Sequence, residues 1–206
     1  IRGIELQNSG RAADAEVIFN AYLQLHPTDP AAIYSLAVIL LQRADTAKTL
    51  ELLERGVATS PHFAPLWMAY ANALQNSGRV AEAMTSYDKA LEANPQYTEV
   101  LLNSGVLLRE QHRHLEALDR FQRILAIKPD HEAALGNCGI ILTEFKRSEE
   151  AVAMFQRLLA VLVVEKLGVG QARTHYALIA GDYLSGISGS DIGNQQEFVG
   201  QFSLWI

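Results

Sequence analysis

Small and bulky apolar positions recur along this chain with a fixed spacing of 34 residues. One column contains only small residues, namely Gly3, Ala37, Ala71, Gly105 and Gly139. A second column is bulky and apolar, and its members are Phe19, Leu53, Tyr87, Phe121 and Phe155. Prolines keep the same spacing at Pro27, Pro61, Pro95 and Pro129. Self-similarity at this period predicts stacked helix pairs that bury a continuous core.

Each column has a physical reason. Small residues are expected where the two antiparallel helices of one unit cross, because a larger side chain would push the backbones apart. The bulky column is predicted to fill the space between the second helix of a unit and the next unit. Proline ends that second helix, since it lacks an N–H and restricts the residue before it. Turn signals such as Asn-Ser-Gly at 8–10 and 76–78 separate the paired helices.

The unit from 64 to 97 carries the pattern most completely. Its matching residues are Trp67, Tyr70, Ala71, Leu74, Gly78, Ala83, Tyr87, Ala90 and Pro95. The pattern resembles the tetratricopeptide repeat (TPR). The resemblance implies an all-α fold, a right-handed superhelical solenoid of antiparallel helix pairs, and it places Trp67 in the core. His112 and Lys146 depart from it where glycine is usual, and Thr49 and Gly56 depart in small or apolar columns.

The repeat register divides the chain into an array over 1–165 and a C-terminal segment over 166–206. The array has about five units, at about 1–29, 30–63, 64–97, 98–131 and 132–165. Since Ile1 falls inside a first helix by this register, the first unit is predicted to be truncated and the chain to be part of something longer.

The C-terminal segment does not follow the repeat. Apolar residues at Ala172, Tyr176, Ile179 and Tyr183 predict one amphipathic helix over 170–186, which would cap the array. The tail over 187–206 ends in apolar residues, namely Phe198, Phe202, Leu204, Trp205 and Ile206. This end is expected to dock on the array, to begin a further domain, or to pair with another copy.

Charge and composition narrow the classes of partner. The net charge is −6 and no run of basic residues occurs, which disfavours nucleic acid. No apolar stretch reaches the roughly 18 residues that a membrane span requires. We therefore predict a cytoplasmic chain without a membrane span.

The reactive side chains predict no catalytic, cofactor or metal site. His112 and His114 lie in a turn, without a cysteine or carboxylate at metal-ligand spacing. Cys138 stands in a helix-packing column and is expected to be a buried, inert thiol. The Gly-Val-Gly at 168–170 lacks the strand and helix of a nucleotide loop. The chain is therefore not expected to be an enzyme by itself.

The resemblance also implies a binding surface, because the first helix of each unit lines the concave side of such an array. By register this surface comprises Tyr34, Ser35, Gln42, Met68, Asn72, Gln75, Asn76, Asn103, Arg109, Glu110, Asn137 and Glu144. The set is rich in amides, whereas helix surfaces usually favour Glu, Lys and Arg. An asparagine amide can both donate to and accept from a peptide backbone, so the surface is predicted to hold an extended peptide.

Asn103 and Asn137 stand one repeat apart, each two residues before a column glycine. They resemble the asparagine ladder in the repeat region of O-GlcNAc transferases and similar bacterial proteins, although Ser35 and Ala69 interrupt it. The lysines with which chaperone-type arrays clamp a C-terminal carboxylate have no match. Their column is filled by Tyr34, Met68, Leu102 and Gly136.

The sequence therefore favours a non-catalytic scaffold that binds a protein or peptide. One alternative is the substrate-recruiting arm of a larger O-GlcNAc transferase-like glycosyltransferase. Another is a structural protein that assembles with itself, through the C-terminal tail or an exposed terminal helix.

Overall fold

The computed structural model describes residues 2–162, and within that range the chain is built from α-helices and the turns between them. The predicted helix over 170–186 and the apolar tail lie outside the described residues. The helices are α1 (Arg2–Asn8), α2 (Ala12–Leu25), α3 (Pro30–Gln42), α4 (Thr46–Thr59), α5 (Ala64–Asn76), α6 (Val80–Ala93), α7 (Thr98–Glu110), α8 (His114–Ile127), α9 (Glu132–Glu144) and α10 (148–162).

The chain divides into two compact units, one ending at Pro129 and one beginning at Asp130. From here on, the first and second unit mean these two parts of the chain, and each helix pair is called a repeat. In the first unit, each helix pair of a repeat packs together as a hairpin: α1 with α2, α3 with α4, α5 with α6, and α7 with α8. The second helix of one pair also packs on the first helix of the next, as α4 does on α5. The predicted all-α repeat of helix pairs is confirmed.

The small and bulky columns meet face to face inside a repeat. A Cβ atom built on Gly105 would lie 2.8 Å from Cε1 of Phe121, and one built on Gly139 would lie 2.7 Å from the Phe155 ring. Gly3 has the same relation to Phe19. From the sequence, these rings were predicted to fill only the space between the second helix of a repeat and the next repeat. They also rest on the first helix of their own repeat, which explains why glycine stands beneath each phenylalanine.

The core of the first unit is continuous across repeats. One buried cluster spans α3, α4 and α5 and comprises Ile33, Ala37, Leu53, Val57, Leu66, Ala69 and Ala73. Trp67 packs against this cluster but is only partly buried, which corrects its predicted place in the core. Its indole N–H donates to the carbonyl of Pro61 at 2.8 Å. The side chain therefore lies at the edge of the core, where its polar end reaches a loop carbonyl.

The two departures in the second repeat are accommodated locally. Thr49 is fully buried, and its hydroxyl donates to the Asp45 carbonyl at 2.7 Å, so no polar group is left unsatisfied. Gly56 is buried where a Cβ would lie 2.9 Å from Cγ2 of Ile33 and 3.2 Å from Leu66. Close packing against the neighbouring first helices thus requires glycine at this position.

Every turn between the helices of a pair uses one left-handed residue. These residues are Gly10, Ala44, Gly78, His112 and Lys146, with φ between 57° and 78°. The following backbone N–H donates back to a leucine carbonyl, as Arg79 does to Leu74 at 2.9 Å. This is the helix-ending motif in which glycine is normally preferred. His112 and Lys146 therefore adopt the glycine conformation without being glycine.

Gly78→Ala should lower the free energy of unfolding by about 1 kcal/mol, because alanine is strained at positive φ. Nothing lies within 4 Å of a Cβ at Gly78, so the variant reports on the backbone alone. The reverse change, Ala44→Gly, should raise the free energy of unfolding by roughly 0.5–1 kcal/mol. Urea denaturation of the two variants checks both signs, and two changes of the same sign would contradict the strain.

A further column of charges follows these turns. Arg79, Arg113 and Arg147 each donate to the glutamate three residues later, with N–O distances of 2.6–2.8 Å. The second repeat reverses the polarity, with Asp45 paired to Lys48 at 3.0 Å. These pairs lie at the starts of the second helices. They are solvent-exposed, so each adds little to the free energy of unfolding.

Candidate functional site on the first helices

The predicted binding residues of the first unit lie on α3, α5 and α7, and we call their polar side the first-helix face. Gln42, Asn76 and Glu110 are exposed there. Six others are partly buried: Tyr34, Ser35, Asn72, Gln75, Asn103 and Arg109. Met68 is only 4% exposed and belongs to the core, so it offers almost no surface to a ligand. Asn137 and Glu144 lie in the second unit, the former partly buried and the latter exposed.

A tyrosine from a second helix reaches this face and holds two of its amides. The Tyr87 hydroxyl lies 2.5 Å from Oδ1 of Asn72 and 2.9 Å from Oε1 of Gln75. A hydroxyl carries a single proton, so it donates to only one of these two oxygens at a time, and the contact to Asn72 is the shorter. The Tyr87 side chain is fully buried, and burial, with a smaller effect of Glu99, raises its pKa to about 12. The hydroxyl therefore stays protonated as a fixed anchor.

The amides of neighbouring repeats are joined at the same point. Nδ2 of Asn103 on α7 donates to Oδ1 of Asn72 on α5 at 3.4 Å. Within the first unit, the hydrogen-bond partner of Asn103 is therefore Asn72. Asn72 lies one helical turn after Ala69, the residue that interrupts the predicted asparagine ladder. Because Asn72 is fixed by Tyr87, the pair forms a preorganised set of amides that spans two repeats.

Two other predicted binding residues form hydrogen bonds to carbonyls of their own helices. Ser35 donates to the Ala31 carbonyl at 2.8 Å. In the second unit, Nδ2 of Asn137 donates to the Ala133 carbonyl at 2.7 Å. Its Oδ1 is buried and has no hydrogen-bond partner in the part of the chain that the structure describes. Neither side chain is therefore fully available to a peptide in this arrangement.

Glu99 adds a negative charge to α7, which also carries Arg109 and Glu110. It is exposed in the first turn of α7. Burial chiefly, and Glu99 next, raise the pKa of Tyr34. At Tyr97, which precedes α7, burial, the neighbouring Tyr34 and Glu99 together raise the pKa to about 12. The carboxylate thus acts on three tyrosine hydroxyls from two different repeats.

Sequence reasoning missed three residues of this face. Tyr87 was assigned only to the bulky column, although it is the one tyrosine there and its hydroxyl needed a partner. Tyr97 lies in a turn and Glu99 on a helix, where such residues are commonplace. Their electrostatic effect on, or from, Tyr34 joins residues that are far apart in the sequence.

The residues considered for chemistry are placed as follows. Cys138 is 1% exposed, as predicted, and burial raises the pKa of its thiol to about 11, which disfavours the nucleophilic thiolate. The rings of His112 and His114 pack edge to face with centroids 5.7 Å apart. Residues 2–162 contain no group of three His, Cys, Asp or Glu side chains suited to a metal ion. None of the helices over this range is long and apolar enough to cross a membrane.

Comparisons with known proteins agree with this architecture. Two family models, both described as tetratricopeptide repeat, match residues 40–103 and 96–162. No curated protein matches the sequence.

Solved structures resemble the chain in fold. A crystal structure of MamA superposes with a TM-score of 0.70 at 18% identity, covering 77% of this chain and 93% of that one. A second, described as the MamA RS-1 ArsTM double mutant, gives a TM-score of 0.70 at 11% identity and covers 80% and 92%. A third, MamA AMB-1, gives 0.66 at 22% identity and covers 78% and 95%. At these identities the likeness concerns the fold.

Proposed function

Because the chain belongs to the tetratricopeptide repeat family, we propose that it is a non-catalytic scaffold that binds an extended polypeptide along the first-helix face. The class of function follows from the repeats, which present the first helices of successive units as one binding surface. We propose that the first-helix face in particular forms this surface, through the residues described above and without catalysis.

The amide pair at Asn72 and Asn103 is the observation that carries it. Among residues 2–162, Nδ2 of Asn72 and Oδ1 of Asn103 make no hydrogen bond. The pair therefore offers one donor and one acceptor side by side, which complements the C=O and N–H of a peptide unit. Because Tyr87 fixes Asn72, a bound chain would not have to order this side chain itself, which lowers the entropic cost of binding.

Asn72→Ala combined with Asn103→Ala should weaken binding of a partner by about tenfold or more, since two hydrogen bonds at roughly 0.5–1.5 kcal/mol each are lost. The partner is first recovered by pull-down and mass spectrometry, then measured by isothermal titration with purified components. The melting temperature should fall only slightly, because both side chains are partly exposed and the buried Tyr87 hydroxyl keeps Gln75 as a partner at 2.9 Å.

The matched control is Gln122→Ala, which removes an exposed amide from α8, a second helix. It should leave the affinity unchanged. Equal affinity for the double variant and the parent would remove the first-helix face from the proposal. A large drop in melting temperature in the double variant would instead assign both asparagines a structural role.

Two alternatives remain predictions. In one, the array is the recruiting arm of an O-GlcNAc transferase-like enzyme; the other is self-assembly through the apolar tail, whose residues lie outside the described range. A cytoplasmic location also stays a prediction. Of these, self-assembly is tested by light scattering on a chain ending at 186, where an unchanged oligomeric state would count against the tail.

A further inference from the structure

The polar cluster around the Tyr87 hydroxyl is one hydrogen-bond donor short. The hydroxyl lies 2.5 Å from Oδ1 of Asn72 and 2.9 Å from Oε1 of Gln75, and its single proton serves only one of these oxygens at a time. Oδ1 of Asn72 is at the shorter distance and also accepts from Nδ2 of Asn103 at 3.4 Å. Within the described range, Oε1 of Gln75 is therefore the acceptor that is left without a donor.

The other polar atom of the Gln75 side chain is also free to bind. Among residues 2–162, its Nε2 makes no hydrogen bond, and its Oε1 contacts only the Tyr87 hydroxyl. Gln75 is partly buried, so its side chain stays accessible to a ligand. Covering an amide oxygen without giving it a donor weakens binding. A ligand that covers Gln75 therefore has to bring an N–H.

Gln75 lies beside the amide pair in one connected row. Asn72 and Gln75 are three residues apart on α5, which makes them neighbours on one helix face. Both contact the same hydroxyl, and Asn72 also contacts Asn103 on α7. These contacts connect three carboxamides from two repeats. Each of the three keeps at least one polar atom for a ligand.

An extended chain matches this row. In such a chain the N–H and C=O of one residue point to the same side, and those of the residue two further on repeat this after about 6.6 Å. One residue pairs with Asn103 and Asn72, as in the proposed function, and the residue two further on pairs with Oε1 and Nε2 of Gln75. A helical peptide does not fit, because its N–H groups donate within its own helix.

We propose that the Gln75 carboxamide is a second backbone-binding site beside the amide pair, so that the ligand is an extended segment bound through two residues, i and i+2, of one edge. This inference rests on the proposed function and names the conformation of its ligand. It also limits the sequence of the ligand, because proline at either of the two positions lacks the N–H that the site requires.

Nuclear magnetic resonance on the whole isotope-labelled chain tests the inference, since the side-chain amide signals of Asn72, Gln75 and Asn103 report binding directly. The probes are Ser-Gly-Ser-Gly-Ser and pentaproline, both with acetyl and dimethylamide caps. Pentaproline is also extended but has no backbone N–H. The serine–glycine peptide should shift all three signals with one dissociation constant and bind about tenfold more tightly than pentaproline.

Gln75→Met removes both polar atoms of the carboxamide from a side chain of similar length. It should weaken binding of the serine–glycine peptide about tenfold, because two hydrogen bonds are lost. The melting temperature should not fall, since the Tyr87 hydroxyl keeps Asn72 as its partner. The control variant is Gln122→Met on α8, which removes an exposed amide from a second helix and should change neither the affinity nor the melting temperature.

Equal affinity of the parent and Gln75→Met, with Asn72 and Asn103 shifted in both, would leave the proposed function standing and contradict this inference. A clear drop in the melting temperature of Gln75→Met would assign Gln75 a structural role instead. Equal affinity for the two probes, shifts confined to other surfaces, or no shift at the solubility limit of the peptides would likewise overturn the inference, whereas the proposed function is tested separately with the recovered partner.

Discussion

Phe121→Ala should lower the free energy of unfolding by about 3–5 kcal/mol, the range for truncating a buried aromatic side chain. Phe121 has no solvent exposure, and its ring covers Gly105 on the facing helix. Glycine has no side chain that could fill the resulting cavity. Leu118 and Ile124, which are also buried on α8, cannot reach the space without leaving their own contacts.

Urea denaturation followed by circular dichroism measures the loss. The control is Ile127→Ala on the same helix, because Ile127 is 37% exposed and should lose only about 1 kcal/mol or less. A loss for Phe121→Ala no larger than the control would show that the bulky column does not hold the repeats together.

The second large expected effect is that alanine substitution lowers the free energy of unfolding at one helical glycine and raises it at another. Gly105→Ala would place a Cβ 2.8 Å from Phe121, 3.0 Å from another atom of the same ring and 3.2 Å from Cβ of Arg120. Overpacking costs roughly 1–3 kcal/mol, against a gain of about 1 kcal/mol from the helix propensity of alanine. We therefore expect a net loss of up to about 2 kcal/mol.

Gly136→Ala in α9 is the matched case without crowding. A Cβ there meets only Cδ2 of Leu158, at an ordinary contact distance of 3.6 Å. The propensity gain should then prevail, and the free energy of unfolding should rise by up to about 1 kcal/mol. Thermal and urea denaturation of both variants measure the difference. Destabilisation by both, or by neither, would contradict the packing of the aromatic rings on the glycines.

Most of the fold was predictable because its determinants are local and repeated. A glycine at 105 with a phenylalanine at 121 is a pair fixed by one hairpin, and the same spacing recurs at Gly3 and Phe19. Proline and turn residues punctuate each unit. The left-handed turn at Ala44 was less visible, since alanine carries no signal for positive φ and only the repeat position indicates it.

The candidate site was less predictable because its contacts join different repeats. The register correctly placed Asn72 and Asn103 on first helices, but it could not show that one amide donates to the other. It also could not show that Tyr87 reaches from a second helix to hold Asn72. Met68 illustrates the opposite error, since a position that faces the groove by register can turn into the core.

Site-specific photo-crosslinking tests the central claim, that the partner is held by the first helices. A photoreactive amino acid replaces Gln42 or Asn76 on α3 and α5, or Glu51 or Gln122 on α4 and α8, all of which are exposed. We predict that the partner crosslinks from Gln42 and Asn76 and not from the second-helix positions. Crosslinking from Glu51 and Gln122 alone, or equally from all four positions, would contradict the proposal.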